Sequence, residues 1–301
     1  MNREKLLGVM SAAVTPVNRD GSIDTGSIEA IMDYYAENGL TGALWPSSTG
    51  EYFALTNAKR RVCVAAAARH NAHGLTVLAN ISEGSLEAAM ENARAMADLG
   101  ADAVVLMPPQ FHHHTQDELV DYYTKAADES PLPLLIYNHM TRLPSKVEIQ
   151  TVMKLKDHPN IVGIKDTHND AARLMTLSTL VSSEENFVIM AGGDGMAGYS
   201  ALFHMEMLNA LSSIRPDLFV EMYKEGREGN QKRVSELQQR VNRLMAVFTA
   251  LKGGKSSAAL FSQAVKVALS LKGLCSVRAV QLGYELDEND LNQVKRVLES
   301  V

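Results

Sequence analysis

The apolar positions of this chain fall into short runs set between longer amphipathic stretches. Short apolar runs bounded by turn residues or charge predict buried strands. Apolar positions three and four apart over a longer stretch predict helices. A first strand is expected over 8–17, closed by Thr15-Pro16 and a turn at Asn18-Arg19-Asp20-Gly21. A helix follows, capped by Ser27 or Thr25, with Ile28, Ile31, Met32 and Tyr35 as its apolar face and Asn38-Gly39 at its end. Further strands are predicted over 41–45, 75–81, 103–107, 132–138, 161–166, 187–192 and 207–212, with helical patterns between them such as 57–71, 85–99, 115–129, 146–156 and 171–181. Strand starts recur about every 20 to 35 residues, the repeat of a βα unit with a parallel crossover.

Eight such units predict an α/β fold, a closed (β/α)8 TIM barrel in preference to an open doubly wound sheet. From Arg215 onward the pattern is helical throughout: 216–228, 231–251, 255–271 and 287–298, with a break at Lys252-Gly253-Gly254. That tail is too long for the eighth barrel helix alone. The expected organisation is therefore a barrel over 1–225 and a C-terminal helical extension packed on it over 226–301.

Composition narrows the partners. With 46% hydrophobic and 21% charged residues the chain has an ordinary globular balance. Its net charge of -6 gives no overall basic excess to neutralise phosphates, so nucleic acid is not an expected partner and attraction for an anionic substrate must be local. No apolar run approaches the roughly 18 residues of a membrane span. Met1 to Lys5 lead straight into an apolar strand pattern with no signal-peptide core. Cys63 and Cys275 lie far apart without metal-ligand spacing, which fits reduced thiols and a cytoplasmic location.

In a barrel of this kind the reactive residues lie at the C-terminal ends of the strands. Lys165 ends the run Ile161-Val162-Gly163-Ile164, and strict alternation puts it on the same face as Ile161 and Gly163, pointing into a core. Burial disfavours an ammonium and lowers its pKa, so a lysine held there can attack a ketone to form a Schiff base. The alternative is a strand-end lysine that reaches water or pairs with a carboxylate. Pro46-Ser47-Ser48-Thr49-Gly50-Glu51 offers small hydroxyls and free N–H groups to a carboxylate, or else caps a helix. Tyr137, in Leu135-Ile136-Tyr137-Asn138, is either a core tyrosine or, beside a neutral lysine, a proton shuttle.

Together, Ser48-Thr49-Gly50-Glu51, Tyr137-Asn138, Gly163-Ile164-Lys165 and Gly192 give the chain a resemblance, from about residue 8 to 273, to the pyruvate-dependent class I aldolases that include dihydrodipicolinate synthase and N-acetylneuraminate lyase. The resemblance implies that Lys165 is the Schiff-base lysine, Tyr137 the proton donor and acceptor, and Ser48 and Thr49 the pyruvyl carboxylate site. Gly192 would let substrate approach strand seven. It further implies a homotetramer of paired dimers, and no metal or other cofactor beyond the imine on Lys165.

The second substrate is where the motifs divide. The synthases of this family carry a tyrosine after strand four, donated across a subunit contact. Pro108-Pro109-Gln110-Phe111-His112 puts Phe111, without a hydroxyl, at the matching place. Arg142, five residues after Tyr137, matches the synthase arginine that meets the second substrate's acid group, although Met140 stands where the family has proline. Asp194-Gly195 holds half of the acidic pair found in sialic acid lyases, and Lys165-Asp166-Thr167 resembles the 2-keto-3-deoxy sugar acid aldolases. The expected substrate is therefore a 2-keto-3-deoxy sugar acid or related hydroxylated 2-keto acid, with pyruvate and an aldehyde as its halves. Alternatives are dihydrodipicolinate synthase and a non-catalytic keto-acid-binding barrel. Thr167, Asp194, His139 and His168 are expected to line the mouth and bind substrate.

Three strings carry less. Consecutive histidines at 112–114 rarely converge on one ion. Gly193-Asp194-Gly195-Met196-Ala197-Gly198 matches a dinucleotide fingerprint in letters, but it follows the seventh strand, and about 20 residues on lies Ile214 with no acid beside it except Asp217. Gly254-Lys255-Ser256 lacks the earlier glycine of a phosphate loop.

Overall fold

A parallel strand covered on both faces needs apolar side chains on both, which is why segments such as Ala-Val-Val-Leu over Ala103–Leu106 are continuous rather than alternating. In the computed structural model, which describes residues 3–71, 73–181, 186–255 and 257–301, eight such strands close a parallel barrel in chain order. They are β1 Val9–Ala12, β2 Gly42–Trp45, β3 Thr76–Asn80, β4 Ala103–Leu106, β5 Leu134–His139, β6 Ile161–Thr167, β7 Val188–Ala191 and β8 Glu206–Asn209, with β8 paired back to β1. Met10, Leu44, Leu78, Val105, Leu135 and Met190 fill the barrel. Trp45, Val77, Val104, Ile136 and Ile164 face the surrounding helices.

The helices are α1 Thr25–Glu37, α2 Asn57–Arg69, α3 Leu86–Asp98, α4 Gln116–Glu129, α5 Ile149–Leu155, α6 Ala171–Leu180, α7 Ala197–Leu202 and α8 Pro216–Arg227. The extension adds α9 Gln231–Leu244, α10 Ala258–Ser270 and α11 Glu288–Glu299. The expected division at 225/226 falls in the last turn of α8. Among the described residues no helix is long and apolar enough to cross a membrane.

Three local details differ from the sequence-based expectation, and the discounted string at 193–198 takes a structure of its own. The cap of α1 is Asp24, whose Oδ1 accepts from Ser27 N at 3.1 Å, so Ser27 is the capped residue and not the cap. The glycine-rich string at 193–198 folds as a 3-10 turn running into the six-residue α7. The helix expected over 231–251 stops at Leu244 and gives way to a 3-10 turn, Met245–Thr249. The helix expected over 255–271 begins at Ala258 with Ser257 as its cap. Ser256, like Met1 and Asn2, lies outside the described residues.

One irregularity positions the chemistry. Leu134 pairs with Ile161 but Leu135 pairs with Gly163, so Val162 is an extra residue in β6. Ile161 consequently faces the helices while Val162 joins the barrel interior. Gly163 and Lys165 remain in phase with Leu135 and Tyr137. Lys165 thus points inward as expected, but Ile161 does not share its face.

Candidate active site

Tyr137 and Lys165 are register partners on β5 and β6, and the Lys165 Nζ stands 4.3 Å from the centre of the Tyr137 ring. Both side chains are buried. Burial drives the Lys165 amine below the 10.5 of a free lysine, outweighing the opposing influence of Tyr137 and Asp194. Burial raises the Tyr137 phenol, but the Lys165 ammonium, the Ser48 hydroxyl and Arg142 together bring it below its ordinary value. The tyrosine's lowering depends on charge at Lys165, so the two groups titrate together. The firm direction is that of the lysine, because a buried ammonium loses its hydration whichever partner holds the proton. A neutral amine beside a phenol is a nucleophile with a proton donor at hand.

The loop after β2 is held so that it offers hydroxyls to the same space. Ser47 Oγ donates to Ala13 O at 2.8 Å and accepts from Gly50 N at 3.0 Å, and Thr15 Oγ1 donates to Gly50 O at 2.7 Å. Glu51 takes a left-handed backbone (φ 59°). Its carboxylate is fixed by the fully buried Lys266 of α10 at 2.8 Å and by Val280 N at 2.9 Å. Ser48 Oγ donates to the Tyr137 hydroxyl at 3.4 Å. The loop does not cap a helix: the 3-10 turn Tyr52–Ala54 has no side-chain cap, and α2 is capped by Thr56.

These groups surround a cavity of about 280 Å³, lined among others by Ser48, Thr49, Tyr137, Lys165, Thr167, Gly192 and Asp194. Thr167 Oγ1 is buried and makes no hydrogen bond among the described residues, a donor and acceptor available to a ligand. A methyl group on Gly192 would collide with that oxygen and stand 3.1 Å from Lys165 Cε. Gly192→Ala is therefore expected to lower turnover on pyruvate at least roughly tenfold by displacing the lysine, a misplacement of about 1 Å being enough to slow a reaction that far. Steady-state kinetics with unchanged circular dichroism would check it.

Other sequence candidates divide. His139 and Arg142 line this cavity and a larger one of about 900 Å³ beside it. Burial, with Arg142 and Lys165, pushes His139 down to about 4, so its ring is neutral at pH 7. Its Nδ1 accepts from Thr141 N at 3.3 Å, which assigns the ring hydrogen to Nε2. Arg142 makes no ion pair among the described residues; its guanidinium lies 5.6 Å from the centre of the Phe261 ring. Burial pushes the Asp194 carboxyl up to about 6, although its Oδ1 accepts from Leu211 N at 2.9 Å.

His168 and Phe111 are placed differently from expectation. His168 lines neither cavity: its Nδ1 is 2.7 Å from Asp166 Oδ1, and the carboxylate it contacts points away from Lys165 along β6. Phe111 is 88% exposed at the tip of the loop after β4, in a left-handed backbone (φ 81°) rare for an aromatic residue, and it does not reach the cavities of its own chain. Among the described residues no group of three or more histidine, cysteine or acidic side chains is arranged to hold a metal ion, and 112–114 form no such group.

Behind Lys165 and Tyr137 lies a polar network that the sequence did not reveal. Asp166, fully buried, accepts from Arg173 Nε at 2.9 Å and from Asn138 Nδ2 at 3.3 Å, and Asn138 also exchanges two 3.0 Å bonds with the Val147 backbone. Burial alone would raise Asp166, but His168 and Arg173 outweigh it and hold the carboxyl below its usual range. Such a group stabilises the fold above the unfolded carboxyl pKa, and the contribution is lost as pH falls through the lowered folded value. Arg173→Met should therefore cost about 3 kcal/mol at pH 7, since it takes the permanent cation from a buried carboxylate and leaves it only His168 and Asn138. Denaturant unfolding should show the deficit narrowing toward pH 3.

A family model described as the dihydrodipicolinate synthetase family matches residues 5–301. A 4-hydroxy-tetrahydrodipicolinate synthase of Stenotrophomonas maltophilia (strain K279a) is 30% identical over 218 residues, which are 72% of this chain and 73% of that protein. Among solved structures, a dihydrodipicolinate synthase of Bacteroides thetaiotaomicron superposes with a TM-score of 0.91 at 24% identity, over 98% of this chain and 99% of that one. The chloride-inhibited dihydrodipicolinate synthase of Acinetobacter baumannii, solved with pyruvate, superposes with a TM-score of 0.85 at 25% identity over 98% of each chain.

Proposed function

Because the chain belongs to the dihydrodipicolinate synthetase family, whose members are Schiff-base class I aldolases, we propose that it makes or breaks a 4-hydroxy-2-keto acid through an imine on Lys165, with pyruvate as one half. The observation that carries this reading is the buried Lys165 amine beside the Tyr137 ring at the cavity wall. The pyruvyl carboxylate sits on Ser48 and Thr49, and Lys165 attacks the 2-keto carbon. Loss of water gives an iminium, which accepts the electron pair released when the bond between C3 and C4 breaks. Tyr137, in contact with Ser48, gives its proton to the oxygen that leaves as water and, now a phenolate, takes the proton of the C4 hydroxyl as the aldehyde leaves. Thr167 and Asp194 orient that hydroxyl. Protonation of the enamine at C3, followed by hydrolysis with one water, frees pyruvate and the amine. The iminium performs the electron-sink role that a metal plays in metal-dependent aldolases, so the mechanism calls for none. The class includes the 2-keto-3-deoxy sugar acids. Pyruvate release from such adducts, read by coupling to lactate dehydrogenase, tests the reading; no release from any member would contradict it.

Arg142, a guanidinium without an ion-pair partner among the described residues, together with the names of the curated relatives, favours a second reading as a 4-hydroxy-tetrahydrodipicolinate synthase. Phe111 opposes it, because it has no hydroxyl to give a relay. Rescue of cells lacking that synthase would decide for the second reading. A non-catalytic keto-acid-binding barrel would require neither the desolvated amine nor the phenol beside it. We assign the enzyme to the cytoplasm on its two free cysteines.

We also propose a homotetramer in which Phe111, exposed and held in a costly backbone conformation, is buried by a second copy. Sedimentation at micromolar concentration should give four times the chain mass; a monomer would contradict the assembly.

A further inference from the structure

The C-terminal extension contributes a wall to the reaction cavity that bears on the aldehyde half. Met245 and Phe248 come from the 3-10 turn after α9, three residues apart and so on one side of it, and Phe261 comes from the first turn of α10. The rings of Phe248 and Phe261 are stacked, with centroids 4.2 Å apart and planes 17° from parallel. Arg142 stands over Phe261. A polyol tail needs a hydrogen-bond partner for each hydroxyl it buries. Along this wall Met245, Phe248 and Phe261 offer no such group, and the side chains of Leu208 and Ala210 add none. The polar side chains Thr141, Asn169 and Asp194 belong instead to the loops after β5, β6 and β7. The Thr167 hydroxyl, without a hydrogen bond among the described residues, suits one substrate hydroxyl, that of C4.

We propose that the aldehyde this site accepts is aromatic, its ring lying against Met245, Phe248 and Phe261, and that an acidic ring substituent is favoured by Arg142. This rests on the imine at Lys165. Flat apolar groups lie well on stacked rings and on a thioether, and a guanidinium at the edge of such a surface attracts an anion. In the synthetic direction, C3 of the Lys165-bound enamine forms a bond to the aldehyde carbon, and the aldehyde oxygen takes a proton from Tyr137 to become the C4 hydroxyl. One water then hydrolyses the iminium, releasing the 4-hydroxy-2-keto acid and the free amine.

The test compares kcat/KM for benzaldehyde, a carboxybenzaldehyde and glyceraldehyde, each with pyruvate. The same preparations are treated with pyruvate and borohydride, and the adduct on Lys165 is weighed. We expect benzaldehyde to exceed glyceraldehyde at least tenfold and the carboxylated ring to do better still. Phe248→Ala should lower the benzaldehyde-to-glyceraldehyde ratio at least tenfold, and Phe248→Leu, which keeps an apolar wall, should lower it less. A Lys165 adduct combined with a preference for glyceraldehyde, or with a ratio unchanged in Phe248→Ala, overturns the aromatic assignment alone. Absence of the adduct overturns the imine reading and this proposal with it.

Discussion

Replacing Lys165 by alanine is expected to lower turnover by roughly ten-thousand-fold or more, the scale of losing the group that forms the covalent intermediate. The variant should also lose all pyruvate-dependent labelling by borohydride. Folding should survive, because the Lys165 amine lies against the Tyr137 ring rather than in a close ion pair, and Asp194, the acid that feels its charge, keeps its hydrogen bond from Leu211 N. Thermal unfolding monitored beside the kinetics separates the two effects. Near-normal turnover in a folded Lys165→Ala protein would move the chemistry elsewhere in the molecule.

The second large effect belongs to Tyr137→Phe. Loss of a positioned proton donor typically costs about 10²–10⁴-fold in rate. The phenylalanine ring keeps the apolar contact with the lysine, so imine formation with pyruvate should persist, more slowly, while carbon–carbon bond cleavage suffers most. Single-turnover kinetics should show the trapped adduct accumulating in the variant. Equal slowing of both steps would instead make Tyr137 a residue that positions Lys165.

Much of this was legible in the sequence because parallel barrel strands are short apolar runs, and their spacing along the chain predicts the architecture. Lys165, Tyr137, Ser48, Thr49, Arg142, Gly192, Thr167, Asp194 and His139 are indeed brought to one cavity. What escaped prediction depended on irregular backbone or on long-range pairing. Alternation placed Ile161 inside the barrel because a single inserted residue, Val162, leaves no mark in composition. His168 looked like a mouth residue until Asp166, held by Arg173, was seen to take its ring.

Phe248 was the hardest to read. It continues the apolar stripe of Val241 and Leu244, so its spacing marks it as core. The change to a 3-10 turn at Met245 puts Val247 into the core instead and turns Phe248 to the cavity. Glu51 likewise gave no sign that its partner would be Lys266, distant in sequence and fully buried.

The most direct measurement is borohydride trapping with pyruvate on the unaltered protein, followed by peptide mass spectrometry across pH. A reduced adduct on Lys165 alone is predicted. Its rate of formation should rise with pH and level off below the 10.5 of a free lysine, because burial lowers the amine's pKa and only the neutral amine attacks. No adduct in the folded protein, or an adduct on another lysine, would contradict the account.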